Sequence, residues 1–99
     1  MNVTIRLQYS ASQTQISAIR DEIYKLVTGD VRMEASSARV NLTDFGQWAI
    51  ELQIWAYVLT ADIQKFNAIR QEILQRIAHI VEAAGCRFAL PSQTIYEGR

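Results

Sequence analysis

From Asp62 to Ala84 the sequence offers one uninterrupted amphipathic helix, and a chain of 99 residues has few ways to accommodate it. Phe66, Ile69, Ile73, Ile77, Ile80, Val81 and Ala84 recur at the helical period and form a single apolar stripe. Asp62 is placed to cap the start. Glu72 and Arg76 stand four apart on the outer face, and Gly85 ends the run. At the usual rise, Ile63 to Ala84 would span about 33 Å. One apolar stripe of that length must be buried against another layer. The segment after Gly85 is short and strand-like. Phe88 and Leu90 mark a strand that Pro91 closes, and then come Ser92, Gln93, Thr94, Ile95 and Tyr96. Thr94, Ile95 and Tyr96 are strand formers. A strand placed after a complete small domain needs a partner, and the nearest one available is another copy of the chain.

Upstream, the period changes from two to 3.6 and back. Val3, Ile5, Leu7 and Tyr9 alternate with polar residues, which predicts a half-buried strand. Ser12 and Gln15 form a capping box ahead of Ile16, Ile19, Ile23, Leu26 and Val27. Asp21 and Lys25 are predicted to pair on that helix, and Gly29 to stop it. Asp30 to Ser37 reads as loop. A second strand runs from about Ala38 to Asp44, and Phe45-Gly46-Gln47 forms the turn. The third strand is predicted to be the longest. Ile50, Leu52, Ile54, Ala56 and Val58 line one face, and Ala49, Glu51, Gln53, Trp55, Tyr57 and Leu59 the other. A short turn makes the second and third strands antiparallel. The expected fold is α+β, a ferredoxin-like βαββαβ two-layer sandwich with a short extra strand at the C-terminus. Residues 1–91 form the α/β domain and residues 92–99 the tail. Both helices should cover one sheet face, with Ile50, Ile54, Ile69 and Ile73 in the core.

Composition narrows the function classes. Ten basic residues balance ten acidic ones, which argues against a nucleic-acid partner held by a basic excess. The single cysteine, Cys86, allows no internal disulfide and reads as a small buried hydrophobe. His79 is the only histidine, and it reads as a solvated helix residue. One His, one Cys and scattered carboxylates give no metal-ligand spacing, so no metal, cofactor or catalytic residue is expected. Within the sequence no run approaches the roughly 20 apolar residues of a membrane span.

Several segments, individually weak, are jointly specific. They are Asp44-Phe45-Gly46, the strand from Trp48 to Val58, and the helical run Phe66-Asn67-Ala68-Ile69-Arg70-Gln71-Glu72-Ile73. The last is Ala83-Ala84-Gly85-Cys86-Arg87-Phe88-Ala89-Leu90-Pro91-Ser92-Gln93-Thr94-Ile95-Tyr96. In this order they resemble the C-terminal cytoplasmic α/β domain of MscS-type, small-conductance mechanosensitive channels. That family commonly closes the domain with an EAGI-x-FPxPQxT segment. Glu82, Gly85, Phe88, Pro91, Gln93 and Thr94 match it, and Leu90 departs from it. The resemblance implies a C-terminal piece of an inner-membrane channel. Transmembrane helices, a gate-lining helix and a small β domain would lie ahead of it. It also implies a ring, usually of seven identical copies, that encloses a cytoplasmic vestibule with side portals for ions and small solutes. The membrane is then reached only through the N-terminal part. Gln93, Thr94, Ile95 and Tyr96 match the start of a strand that joins its equivalents in a small barrel.

Two other readings use the same topology. Acylphosphatase-like enzymes need a glycine-rich anion loop carrying an arginine after the first strand, whereas Ser10-Ala11-Ser12-Gln13 stands there. RNA-recognition motifs stack bases on aromatics of the open sheet face, and Trp55 and Tyr57 lie two apart on that side. The first strand, however, offers only Thr4, Arg6 and Gln8 there, and Ala49-Ile50-Glu51 replaces the basic, glycine-containing approach. A protein contact is the better expectation for Trp55 and Tyr57, because exposed apolar patches mark interaction sites. A free-standing oligomeric ligand-sensing domain is the third reading.

Overall fold

The computed structural model describes residues 1–45 and 49–89. Its elements are β1 (Asn2–Leu7), α1 (Gln13–Thr28), a 3₁₀ turn (Ala35–Ser37), β2 (Arg39–Phe45), β3 (Ile50–Trp55) and α2 (Ile63–Ala83). The sheet order is β1-β3-β2, with both pairs antiparallel. A fourth position lies beyond β1. There Phe88 bridges Leu7 antiparallel, Gln8 N–H donates to Arg87 C=O, and Ala89 N–H donates to Arg6 C=O. The expected α+β, ferredoxin-like arrangement is present; of its fourth strand the described residues show this bridge. Leu90 and the tail, including Gln93, Thr94, Ile95 and Tyr96, lie outside the described residues, as does the turn at Gly46, Gln47 and Trp48.

Local signals set the helices. Ser12 Oγ accepts from Gln15 N–H while the Gln15 side chain accepts from Ser12 N–H, which closes the predicted box. Asp62 Oδ1 accepts from Gln64 and Lys65 N–H at the start of α2. The two glycine stops differ in physics. Gly85 has φ +80°, a conformation that costs any other L-residue strain. Gly29 is right-handed, but a Cβ there would stand 2.9 Å from Lys25 O.

The apolar faces meet in one cluster. Val3, Ile5 and Leu7 of β1 and Ile50, Leu52 and Ile54 of β3 pack under Ile16, Ile19, Ile23 and Val27 of α1. Ile69, Ile73, Ile77 and Val81 of α2 complete it. All four residues expected in the core are buried, as is Cys86, while His79 is exposed.

Several expectations need correction. β3 is not the longest strand: it has six residues against seven in β2. Its register with β1 carries on for one pair past the strand, to Met1 and Ala56, before another segment takes over. Ala56 N–H donates to Met1 C=O, and Val58 bridges Met33. Tyr57 therefore lies past the strand. Ala49, placed on the outer face by simple alternation, is buried. Tyr9 lies beyond β1 and is exposed. Phe66, Ile80 and Ala84 are half-buried at the margin of the stripe. On α1, Lys25 reaches Glu22 at 3.6 Å, and Asp21 accepts from Arg20 at 3.2 Å, in place of the predicted Asp21–Lys25 pair.

The loop after α1 is tied down by charge. Arg32 donates from Nη2 to Asp30 Oδ2 at 2.7 Å and to Glu72 Oε2 at 3.1 Å, while its Nη1 reaches Glu72 Oε1 at 3.1 Å. Arg76 adds the predicted pair with Glu72 at 3.3 Å. Hydrogen bonds from the Arg32 side chain hold both carboxyls below their ordinary values of 3.8 and 4.5, more than desolvation raises them. A carboxyl whose folded pKa is depressed adds stability above its unfolded pKa and loses it as pH falls through the folded value. We expect Asp30→Asn to cost about 1 kcal/mol near neutral pH, below the usual range for charged hydrogen bonds because solvent screens the cluster. The gap should close below about pH 4. Urea unfolding of both proteins across that range measures it, and a pH-independent gap would remove charge as the cause.

Candidate interaction surface

The sheet face away from the helices carries the residues singled out for contact. Side chains alternate along each strand, so burial of Val3, Ile5 and Leu7 turns Asn2, Thr4 and Arg6 outward. On β3 the same alternation turns Glu51, Gln53 and Trp55 to that face, each half-buried. The register sets Asn2 and Arg39 on either side of Trp55, and Thr4 and Asn41 on either side of Gln53.

The middle of the face is closed by its own polar contacts. Arg6 Nε donates to Glu51 Oε2 at 3.2 Å, and Gln53 Nε2 donates to Asn2 Oδ1 at 3.0 Å. Thr43 Oγ1 donates to the Glu51 carbonyl at 3.4 Å. Phe45, 62% exposed, stands at the opposite end of the strands from the aromatic pair.

Trp55 and Tyr57 are brought together at the edge of this face. Their ring centroids are 4.6 Å apart with 67° between the planes, an edge-to-face pair. Tyr57 is 57% exposed although the backbone beneath it is firmly held. Its N–H donates to Ser37 Oγ at 3.0 Å, and its carbonyl accepts from Glu34 N–H at 2.9 Å. Ser37 Oγ in turn donates to the Glu34 carbonyl at 2.7 Å, so one buried hydroxyl joins the 3₁₀ turn to the aromatic segment. An apolar ring presented to solvent on a fixed backbone loses little freedom on docking, which favours contact.

Sequence reasoning found the aromatics but missed their support. Ser37 lay in a segment read as loop, and its only signal was the Ser36-Ser37 pair. Arg39, whose Nη1 donates to the carbonyls of Ser36 at 3.3 Å and Ala38 at 2.9 Å, also went unnoticed beside Trp55. Among the described residues, no helix is long and apolar enough to cross a membrane.

This architecture is shared with solved structures. The cryo-EM structure of Arabidopsis thaliana MSL1 superposes with a TM-score of 0.82 at 17% identity, covering 92% of this chain and 33% of that one. A point variant of Arabidopsis thaliana MSL1 gives a TM-score of 0.82, with 17% identity and coverage of 92% and 35%. A further structure of wild-type MSL1 from Arabidopsis thaliana gives 0.75, with 20% identity and coverage of 92% and 32%. The chain thus spans about a third of the length of these proteins. None of the curated proteins compared with it matches. The family model described as mechanosensitive ion channel MscS, C-terminal, matches residues 1–88, and the chain belongs to that family.

Proposed function

We propose that the chain is the cytoplasmic vestibule domain of a mechanosensitive channel. Residues 1–91 form the wall unit, and residues 92–99 begin an intersubunit strand. The parent channel sits in the inner membrane, with this domain on the cytoplasmic side. It releases ions and small solutes on hypo-osmotic shock, and the cage of identical copies, a heptamer in this reading, filters what reaches the pore. Trp55 and Tyr57 support subunit or domain contacts, and Gln93, Thr94, Ile95 and Tyr96 join neighbouring copies. The observation that carries the reading is the edge-to-face aromatic pair, held on a fixed backbone at the margin of an otherwise polar sheet face in a member of a channel family.

Replacing Trp55 and Tyr57 together by serine is the test. In the full-length channel the double variant should weaken ring assembly about tenfold or more, since aromatic anchors commonly contribute above 1 kcal/mol each. The isolated domain should keep its fold, because the apolar cluster beneath contains neither ring. Native mass spectrometry of detergent-solubilised channel reads the first, and circular dichroism the second. Unchanged assembly would remove the pair from the interface. Salt-dependent RNA binding by the wild-type domain, lost in the double variant, would give the face to nucleic acid instead.

A further inference from the structure

The loop after α1 and the segment after β3 form a short ladder of their own. Met33 bridges Val58 antiparallel, Leu59 N–H donates to Arg32 C=O at 2.8 Å, and Glu34 N–H donates to Tyr57 C=O at 2.9 Å. Tyr57, the exposed ring of the aromatic pair, therefore belongs to this ladder. Its inner end is fixed by burial: Met33 is in the core, and the buried Ser37 hydroxyl takes the Tyr57 N–H. Its outer end has less to hold it, since Val31 and Leu59 are 92% and 60% exposed. A groove of about 490 Å³ lies there, lined by Val31 and Leu59 of the ladder and by Ala68 and Ile69 of α2.

One side chain ties that end to the helix. The Arg32 guanidinium reaches Glu72 Oε1 and Oε2 with two N–H groups, each at 3.1 Å. Among the described residues these are the only hydrogen bonds from the ladder to α2. Asp30 aims the fork. It accepts from Arg32 Nε at 2.9 Å and from Nη2 at 2.7 Å, so the plane of the guanidinium is set on the loop side before Glu72 is met. A planar fork held along two edges fixes position as well as charge, which an ammonium on a flexible stem does not.

We propose that Arg32 and Glu72 are positioning residues for the aromatic pair: through the Arg32 carbonyl and the Met33–Val58 bridge, α2 sets where Tyr57 stands against Trp55. The residue whose side chain meets Glu72 is the one whose carbonyl holds Leu59, so a shift of the loop against α2 carries the backbone of residues 57–59 with it. Glu72 lies in the helix layer, whereas Trp55 belongs to the opposite sheet face. The geometry of that face is thus adjustable from a site outside it. The consequence for subunit contact rests on the reading of Trp55 and Tyr57 as contact residues; the link between α2 and the ladder does not.

Glu72→Ala cuts the tie and leaves Arg32 with Asp30. In amide hydrogen exchange of the 99-residue chain, Glu34 and Leu59 should then exchange about threefold faster than in the wild type, the factor for a half-exposed ion pair. Ile23→Val, a core change on α1 of comparable overall cost, should leave both amides at their wild-type rates, because the ladder opens locally. Unchanged exchange in Glu72→Ala overturns the proposal, and so does equal speeding in Ile23→Val, which would reduce the effect to general stability. In the full-length channel, Glu72→Ala should weaken ring assembly about twofold, and should add nothing in the Trp55→Ser, Tyr57→Ser background. An equal loss in both backgrounds overturns the proposal, since Glu72 would then not act through the rings. If the double serine variant itself assembles normally, the contact reading falls, and the exchange experiment alone decides the link.

Discussion

Leu52→Ala is expected to destabilise the domain by about 2–5 kcal/mol, the range for emptying a fully buried leucine site. Leu52 is wholly buried on the central strand, opposite Ile5 on one side and Leu42 on the other, and belongs to the single apolar cluster. Both helices rest on that cluster, so no separate layer can move in to fill the space. A domain of this size has little reserve, since native stabilities lie at about 5–15 kcal/mol. Each kilocalorie shifts the thermal midpoint of so small a domain by about 4–8 °C. The melting temperature should therefore fall by about 10 °C or more. Val31→Ala, at a position 92% exposed, should change stability by no more than about 0.5 kcal/mol. Similar losses for the two variants would mean that the core is not where the phase of the apolar residues puts it.

The elements legible in the sequence were those written locally. The Ser12–Gln15 box, the Asp62 cap, the Gly85 stop and the stripe of α2 each depend on residues within a few positions of one another, and all are present. The alternation of β1 and β3 assigned their buried faces correctly. The misplaced features depend on distant partners. Past β3 the chain changes partner, with Val58 bridging Met33 in the loop after α1, and no alternation pattern reports that. Arg32 meets Glu72 across 40 positions, so the sequence showed only the local Glu72–Arg76 half of the cluster. Of the candidate contact residues, Trp55 and Tyr57 were legible because a strand's period places every second side chain on one face. The Ser37 hydroxyl that fixes Tyr57 was not, because a lone serine in a loop has no period.

A second large effect on assembly should come from Ile95→Pro in the full-length channel. If the tail pairs with its equivalents in a closed ring, every copy both donates to one neighbour and accepts from the other, and no edge remains. Proline at 95 removes one N–H and fixes φ, so each junction loses a bond and also meets the ring. In a symmetric ring the lesion recurs at every interface, and a cost of about 1 kcal/mol per junction is multiplied by the number of copies. Ile95→Val keeps the donor and the β-branch and should assemble normally. Cross-linking of detergent-solubilised channel should show full rings for the wild type and Ile95→Val, and mainly smaller species for Ile95→Pro. Intact rings in Ile95→Pro would show that the tail is not what closes the cage.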